Sequence, residues 1–383
     1  MPPKPRIDFI GLGAMGLAMA THLLDDGFTV SGYDINPTAL ATLKQKNGMP
    51  ASSPRECATD APVLVCMIAN ATQTEQVFFA PETGAIHGLP RGAVVVLSST
   101  VPPGFPGEFL RKIQGAYQRH DIRVVDCPVS GGTIRAAQGT LTILSSGFAG
   151  ALAGAKSVLE SMAETIYEID GGLGSANKVK LVNQHLAGIH ISFHDAVVGG
   201  EASSWMFENR VPHMLKDDWT PQSALGIFVK DMGIVTSEGL NQKIPLWLAS
   251  SAEQLYLLGA QSGYDREDDS GVVRVFIPKQ PSLVSDMTQA AGDNSQSAEL
   301  TSLVKTLLEV VHTAAAVEAL ALGCALGLSS RNLVSIISNA AGASQAFKTV
   351  AAKILDGNPT SGSLITETRD KLKEVVILAR KTR

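Results

Sequence analysis

The sequence predicts an α/β domain with a parallel sheet, followed by an all-α domain and an appended, partly repeated helical segment. The first third alternates short β-branched runs with helical stretches, which is typical of βαβ units. From about Gly174 the chain shows long helical periodicity without strand punctuation. Similar helical sequences that recur in the same order indicate that part of the second domain is repeated.

Seven runs of residues are predicted as strands. Five of them form the parallel sheet and two extend it. In chain order they are Ile7–Ile10, Thr29–Tyr33, Val63–Ile68, Ala93–Ser98, Ile122–Val125, Thr140–Ser145 and Thr165–Ile169. The helical periodicity that follows predicts three long helices, Ser175–His194, Ser223–Glu238 and Pro245–Ser262.

A polar stretch separates these helices from the last part of the chain. It comprises Asp265–Gly271 and then Ile277–Ser297, and we interpret it as a linker. Helical periodicity resumes over Ala298–Ala325, Ser330–Ala341 and Ser344–Leu355. The predicted domains are therefore residues 1–173 (α/β), 174–276 (all-α), 277–297 (linker) and 298–383 (an additional helical module).

The last segment resembles a degenerate copy of part of the all-α domain. Leu308–His312 echoes Leu186–His190, Ala343–Leu355 parallels Ser203–Leu215, and Arg369-Asp370 falls where Lys230-Asp231 stands. Helices rich in Ala, Leu and Val can resemble one another by chance, but matches that keep their order along the chain favour duplication.

Composition excludes several classes of function. The net charge is −5 and no long Lys/Arg cluster is present, so nucleic acid and anionic membranes are not expected as partners. The four cysteines are scattered without a Cys-x-x-Cys pair, which argues against zinc and disulfides. No apolar run approaches the roughly 20 residues of a membrane span, and no apolar signal region precedes the first strand. We therefore expect a cytoplasmic protein.

A glycine-rich loop follows the first strand and opens a helix, as in a Rossmann-type dinucleotide site. The loop reads Gly11-Leu12-Gly13-Ala14-Met15-Gly16. Its glycines allow a tight turn, close approach of backbone N–H groups to a pyrophosphate, and packing of helix on strand. Asp34 ends the second strand, where a carboxylate accepts ribose hydroxyls and repels a 2′-phosphate. NAD is therefore expected rather than NADP.

Four motifs in order resemble the β-hydroxyacid dehydrogenase family, which includes 3-hydroxyisobutyrate dehydrogenases. They are the glycine loop, Asp126–Gly132, Gly171–Lys180 and Phe228–Asp231, and the resemblance covers roughly residues 6–276. Trp205–Arg210 and Tyr264–Ser270 look closest to the L-threonate dehydrogenase branch. The resemblance implies a Rossmann domain, an all-α domain of the 6-phosphogluconate dehydrogenase type, and NAD-dependent oxidation of a small β-hydroxy acid.

Lys180 is the expected general acid/base. On a helix, Lys180, Asn183, Gln184 and Ala187 share one face, whereas Lys178 points elsewhere. Enclosure between two domains can lower a lysine pKa by desolvation, which suits a proton acceptor near neutral pH. Gln184, where many family members have Asn, and Asn183 are expected to hold the substrate. A solvated lysine pair on a surface helix is the alternative.

Other candidate residues follow strand ends. Ser130, Gly131 and Gly132 can direct N–H groups and a hydroxyl at a substrate carboxylate, although a plain Ser-Gly-Gly turn is the alternative. Asn70 is expected at the cofactor ribose, and the resemblance places Thr100 near the nicotinamide; a structural turn role stays open for both.

Lys230 resembles a family lysine that approaches the cofactor, and Asp231 is expected to fix it. A surface ion pair is the alternative. His190 and His194 have a spacing that could bind a metal, with His185 nearby, but no His-Glu-x-x-His motif is present and no metal is expected.

The resemblance fails over residues 190–203. A family segment like Glu318–Gly342 is missing there and reappears only in the C-terminal copy. We therefore hypothesise that the copy supplies the lost helices, within one chain or by exchange with a partner subunit, because their loss would expose apolar surface. Alternatively, the copy mimics a dimer partner, as in the doubled helical domain of 6-phosphogluconate dehydrogenases. A homo-oligomer through the helical domain is expected.

Two further functions stay open from sequence. The same scaffold could reduce aldehydes or imines, although the retained Lys180 disfavours imine reduction. It could also bind NAD without turnover.

Overall fold

The computed structural model describes residues 4–187, 200, 202–276, 294–356, 366, 368–373 and 377. These residues fall into two compact units, Met1–Lys180 and Leu181–Arg383. The domain boundaries stated above stay predictions, and part of the predicted linker, 277–293, lies outside the described residues.

The first unit contains a nine-stranded sheet. Its strands are β1 Arg6–Ile10, β2 Thr29–Tyr33, β3 Met49–Pro50, β4 Val63–Cys66, β5 Val94–Leu97, β6 Arg123–Asp126, β7 Val129–Ser130, β8 Leu141–Gly147 and β9 Ala163–Glu168. Their order is β3-β2-β1-β4-β5-β6-β8-β7, and β9 pairs with β8. All seven predicted strands are present. The two that were not predicted, β3 and β7, have only two residues each, too few to show a period.

The direction of β8 differs from the expected all-parallel pattern. Strands β1 to β6 pair in parallel, whereas β8 runs antiparallel to β6 and to β7. Strand β9 pairs with β8 in parallel. An antiparallel strand beside an otherwise parallel sheet is common in α/β folds, and strand composition does not reveal its direction.

Helices cover the sheet of the first unit on both faces. They are α1 Ala14–Asp25, α2 Pro37–Gln45, α3 Pro54–Cys57, α4 Ala71–Phe79, α5 Phe105–Gly115, α6 Gly132–Gln138 and α7 Ala149–Met162, with a 3-10 turn at Ala85–His87. Two buried clusters result. Phe9 of β1 packs into one of them, whereas its neighbour Ile10 packs into the other. Alternate residues of one strand therefore serve opposite faces, as expected for a strand buried on both sides.

The second unit is helical in the part that the structure describes. Its helices are α9 Trp205–Leu215, α10 Leu225–Asn241, α11 Trp247–Gly259, α12 Asn294–Ala325, α13 Ser330–Ile337 and α14 Gln345–Leu355, with a π-helical turn at Ala260–Tyr264 and a 3-10 helix at Asp269–Phe276. Helix α8, Ser175–Ala187, starts in the first unit and ends in the second. Its predicted continuation to His194 lies outside the described residues.

The two proposed copies share a local geometry at their serine caps. Ser204 precedes α9 with φ −141° and ψ 156°, and Ser344 precedes α14 with φ −143° and ψ 158°. Their hydroxyls accept from the N–H groups of Phe207 and Phe347 at 3.2 and 3.0 Å. Ser204 and Ser344 also form an antiparallel β-bridge with each other. The Arg369-Asp370 pair differs from its presumed counterpart, because its side chains are exposed whereas Asp231 is buried.

Two expectations from sequence were wrong. Within the polar stretch interpreted as a linker, Asp268, Asp269 and Ser270 are fully buried in the second unit, because Arg210 binds the carboxylate of Asp269 through two nitrogens at 2.6 and 3.2 Å. In addition, Ser302–Ala325 of α12 is long and apolar enough to cross a membrane by length and composition. Half of its most apolar window is buried inside the protein, and a core helix of a soluble protein passes the same test.

Candidate functional site

The glycine loop lies where the chain changes direction across the sheet. Strand β1 neighbours both β2 and β4, so the connections from β1 and into β4 leave toward opposite sides. In open α/β sheets ligands bind at the carboxyl ends of the strands at such a switch point. The loop and the residues that follow β4 and β5 therefore belong to one edge of the first unit.

The glycines of the loop fit a dinucleotide. Gly11 has a φ of +94°, and a Cβ there would overlap the carbonyl oxygen of Met67. A Cβ on Gly16 would overlap the carbonyl oxygen of Gly11. Gly13 is the N-cap of α1 without a side-chain cap, and a Cβ added to Gly13 would meet no atom within 4 Å. The N–H groups of Ala14, Met15 and Gly16 at the start of α1 thus face an open cradle that favours an anion.

Asp34 lies beside the glycine loop, which holds its side chain in place. Its Oδ2 accepts from the N–H of Leu12 at 2.6 Å, and its Oδ1 accepts from the N–H of Asn36 at 2.7 Å. The carboxylate therefore has a fixed position beside the glycine loop and keeps lone pairs for further donors. A fixed negative charge there opposes a 2′-phosphate and accepts ribose hydroxyls.

Asn70 and Thr100 follow β4 and β5. The side-chain oxygen of Asn70 accepts from the N–H of Gln73 at 2.8 Å, so this residue is the N-cap of α4. That bond leaves its amide nitrogen available for another contact. Thr100 is half-buried, and the next N–H, that of Val101, donates to the side-chain oxygen of Asn177 at 3.0 Å. The structure thus joins the end of β5 to the start of α8.

The Ser130-Gly131-Gly132 turn lies between β7 and α6. Gly131 and Gly132 have φ values of +135° and +71°, which L side chains rarely adopt. A Cβ on Gly131 would come within 3.0 Å of the Arg135 side chain. Both glycines are therefore required by the turn itself, and the assignment of this turn to the substrate carboxylate stays a prediction.

A buried polar network anchors the first turn of α8. Asp126, at the end of β6, accepts from the backbone N–H of Asn177 at 3.1 Å, from its side-chain amide at 2.5 Å, and from the hydroxyl of Ser146 at 3.3 Å. The Ser146 hydroxyl accepts from the N–H of Ala176 at 3.0 Å. Burial raises the pKa of Asp126 to about 6, and the surrounding donors oppose that rise.

Lys180 lies one helical turn beyond Asn177. It is only 6% exposed, whereas Lys178 is half-buried. Because Asn177 is bonded to Asp126 through both its backbone and its side chain, the axial position and rotation of α8 are fixed at that turn. The structure therefore gives Lys180 a buried location on a rigid element, in contrast to the surface pair considered from sequence.

The second unit brings Gln184, Asn183 and the Lys230-Asp231 pair together. Gln184 Nε2 donates to Asp231 Oδ2 at 2.5 Å, and Lys230 Nζ lies 3.0 Å from Asp231 Oδ1. Asn183 Nδ2 donates to Gln184 Oε1 at 3.1 Å. Asn183, Gln184 and Asp231 are all buried, and the Lys230 side chain is 27% exposed. A surface ion pair therefore does not describe Asp231.

The metal hypothesis involves histidines that the structure does not describe. His190 and His194 lie outside the described residues, as does the side chain of His185. Among the residues that are described, no three His, Cys, Asp or Glu side chains are arranged to hold a metal ion.

Two polar groups of this arrangement received no role from sequence. Asp126 and Asn177 belong to two of the four motifs, but the sequence assigned neither of them a function of its own. One feature of the sequence could have indicated a role for Asp126. It is an acidic residue at the end of an apolar strand, and burying such a residue is costly unless hydrogen-bond donors surround it. Their pairing across 51 residues could not be read from either segment alone.

Comparisons with known proteins agree with this geometry. A family model described as the NAD binding domain of 6-phosphogluconate dehydrogenase matches residues 6–171. A second model, described as NAD-binding of NADP-dependent 3-hydroxyisobutyrate dehydrogenase, matches residues 192–276. Residues 277–383 lie outside both models.

Relatives match over nearly their whole length. The chain is 38% identical over 289 residues to L-threonate dehydrogenase of Cupriavidus necator. The aligned region covers 71% of this chain and 96% of the relative. It is 35% identical over 290 residues to L-threonate dehydrogenase of Escherichia coli, with 71% and 94% covered. The crystal structure of 3-hydroxyisobutyrate dehydrogenase from Salmonella typhimurium is similar with a TM-score of 0.64 at 35% identity, covering 71% of this chain and 100% of that chain.

The resemblance inferred from the four motifs is thereby confirmed, as is the Rossmann-type fold with a helical C-terminal region. The relatives are dehydrogenases that act on hydroxyl groups. The chain belongs to the β-hydroxyacid dehydrogenase family, the oxidoreductases that include 3-hydroxyisobutyrate and L-threonate dehydrogenases.

Proposed function

We propose that the chain oxidises a small β-hydroxy acid with NAD, and that Lys180 takes the hydroxyl proton. The observation that carries this proposal is the buried position of Lys180 on a helix whose preceding turn is anchored to Asp126. A misplacement of about 1 Å at a reacting group can cost roughly 10²-fold in rate, so a proton acceptor on an anchored helix is favoured over one on a loop.

The residues of the chain divide the work of the reaction. The bound nicotinamide supplies the hydride acceptor. Lys180 Nζ accepts the proton of the substrate hydroxyl, and it donates that proton when the reaction runs toward reduction. Asn183 and Gln184, which follow Lys180 on the helix, hold the hydroxyl or carboxylate through their remaining N–H groups. Backbone N–H groups of Gly131 and Gly132 are proposed to bind the substrate carboxylate.

The cofactor is proposed to be NAD, with NADP disfavoured. Support comes from the Asp34 carboxylate, which is fixed by two backbone N–H groups next to the glycine loop. One of the two matching family models is described for an NADP-dependent enzyme, and a comparison of kcat/KM for NAD and NADP distinguishes the two cofactors. We expect Asp34→Ser to narrow the ratio of kcat/KM for NAD over NADP by at least about tenfold, because it removes the charge that repels a 2′-phosphate. An unchanged ratio contradicts the assignment.

L-threonate is the first substrate to test. The support is the identity to L-threonate dehydrogenases and the Trp205–Arg210 and Tyr264–Ser270 segments. A panel should also contain 3-hydroxyisobutyrate and 2-(hydroxymethyl)glutarate, the compounds named by more distant relatives. The panel is run with NAD and with NADP, in both directions, so that aldehyde reduction is detected as well.

Lys180→Ala tests the proton-transfer role, with Lys178→Ala as a matched control two residues away on the same helix. We expect Lys180→Ala to lower kcat by roughly 10² to 10⁴, the usual contribution of a general acid/base. The dissociation constant for the cofactor should stay unchanged, and Lys178→Ala should retain kcat within about threefold.

Two results would contradict this proposal. Retention of more than about a tenth of kcat in Lys180→Ala assigns the proton to another group. Cofactor binding without turnover of any hydroxy acid or aldehyde indicates a binding protein instead of an enzyme. The homo-oligomer and the cytoplasmic location stay predictions; light scattering of the purified protein decides the first.

A further inference from the structure

A continuous line of hydrogen bonds crosses the second unit from the C-terminal helices to Asp231, whose carboxylate forms an ion pair with Lys230. The N–H of Gly342 donates to Asn183 Oδ1 at 2.9 Å, and Asn183 Nδ2 donates to Gln184 Oε1 at 3.1 Å. Gln184 Nε2 donates to Asp231 Oδ2 at 2.5 Å, and Asp231 Oδ1 lies 3.0 Å from Lys230 Nζ. Gly342 is itself buried, so the first bond is shielded from water.

The ends of this line determine the orientation of both amides. The N–H of Gly342 can only donate, so it must meet the oxygen of Asn183 and not its NH₂ group. At the other end, the Asp231 carboxylate beside the Lys230 ammonium acts as an acceptor and must meet the NH₂ group of Gln184. Turning either amide over would place like groups against each other, so one N–H of each amide is left pointing away from the line.

Gly342 is fixed by the contact between the two serine caps. Immediately after it, the carbonyl of Ala343 accepts from the N–H of Trp205 at 2.9 Å. The N–H of Gln345 donates to the carbonyl of Ser203 at 3.1 Å, completing the bridge between Ser204 and Ser344. These backbone bonds hold the Gly342 peptide at a defined place relative to α9.

The helices that precede Gly342 also contact the first copy. Glu318 of α12 accepts from the N–H of Leu248 at 3.0 Å at the start of α11, whose own N-cap residue, Leu246, provides no side-chain cap. A Cβ on Gly323 of α12 would come within 3.9 Å of the Val182 side chain of α8. The C-terminal helices therefore pack beside α8 and α11 within the same chain.

We propose that the C-terminal helical module is a working part of the substrate site, in which the backbone N–H of Gly342 positions the amides of Asn183 and Gln184. Gly342 is a positioning residue and does not touch the substrate itself. The proposal rests on the proposed function, because Asn183 and Gln184 are assigned to the substrate there. It goes beyond that function by assigning an active-site role to a segment that lies outside both matching family models.

The decisive pair of variants is Gly342→Pro, which removes the N–H, and Gly342→Ala, which keeps it. We expect Gly342→Pro to raise KM for the hydroxy acid about five- to tenfold, as for loss of one hydrogen bond. We expect kcat and the dissociation constant for the cofactor to change by less than about twofold in Gly342→Pro, and we expect Gly342→Ala to raise KM less than Gly342→Pro does, because it keeps the N–H. Equal kinetics for the two variants would overturn the proposal.

A double-mutant cycle separates positioning from general damage. In an Asn183→Ala background the acceptor of the Gly342 bond is gone, so Gly342→Pro should add less than about a twofold further change in KM. If the proline has the same effect in both backgrounds, it acts through some other contact and the proposal fails.

Hydrogen exchange at the Gly342 amide gives a readout that needs no substrate. We expect exchange at this amide to be at least about tenfold faster in Asn183→Ala, with the amides of Trp205 and Gln345 unchanged. Unchanged exchange at Gly342 overturns the proposal. This test uses Asn183→Ala and therefore applies even if Gly342→Pro does not fold. If the parent protein oxidises no hydroxy acid while the exchange result is as expected, the proposed function has failed and the positioning bond has not.

Discussion

The pH dependence of stability tests whether burial or hydrogen bonding has the larger effect on the pKa of Asp126. This carboxyl group is fully buried at the end of β6, where it accepts from Asn177 and Ser146. Burial disfavours the charged form, whereas these donors favour it. Burial is the larger effect and raises the pKa from 3.8 to about 6.

The sign follows from where the proton binds more tightly. Because the pKa is higher in the folded protein, the contribution of Asp126 to stability is fully present below pH 3.8 and is lost as pH rises through about 6. A rise of roughly 2 pKa units corresponds to about 3 kcal/mol in the free energy of unfolding. The Asp126→Asn variant does not titrate at this position, so it lacks this loss.

The measurement compares the two proteins at pH 4, 5, 6 and 7. Urea unfolding gives the free energy of unfolding of each protein, with hydrogen exchange at the sheet of the first unit as the probe. We expect the parent protein to lose about 2 kcal/mol relative to Asp126→Asn between pH 4 and pH 7, because a small part of the full effect is already lost at pH 4. Other groups, including the similarly raised Asp8, cancel in this difference. A difference that is constant, or that grows in favour of the parent protein, refutes the reasoning and shows that the donors outweigh burial.

Three further perturbations follow from the geometry. Glu318→Ala should lower the stability of the second unit by about 1 kcal/mol and Glu318→Gln by less, because α11 loses its cap; calorimetry measures both. Gly13→Ala should raise the dissociation constant for the cofactor at least about tenfold and leave the melting temperature unchanged, because the added Cβ occupies the open space meant for the pyrophosphate. Calorimetric titration and a thermal melt measure the two quantities. An unaltered affinity contradicts the assignment of this loop to the cofactor. Arg210→Leu should lower the free energy of unfolding by about 3–5 kcal/mol, because it leaves Asp269 buried without its partner. The double variant with Asp269→Leu should regain much of that loss. Urea unfolding monitored by tryptophan fluorescence compares the two variants, and an Arg210→Leu protein as stable as the parent contradicts the expectation.

Prediction from sequence succeeded where the signal is local. All seven predicted strands exist because each is a short β-branched run bounded by turn residues. The prediction failed for Asp268 and Asp269, because a run of charges normally indicates exposure. Their burial depends on Arg210, 59 residues away from Asp269, which the composition of the segment does not reveal.

The site shows the same division. Spacing on α8 predicted that Asn183 and Gln184 follow Lys180 on the helix, and the glycine pattern predicted the loop around Gly11. No spacing rule predicted the partner of Asn183, because the donor is a backbone N–H at Gly342 and every residue but proline carries one.

The sequence by itself determined the nucleotide-binding loop, the acidic residue after β2 and the face of α8, since each depends on neighbours within one element. Only the tertiary structure decided which groups meet over long distances in the chain. Asn177 bonds Asp126 across 51 residues and Gly342 bonds Asn183 across 159. The physical reason is that a hydrogen bond depends on where the packed elements bring donor and acceptor, and a residue's identity states only that it can donate or accept.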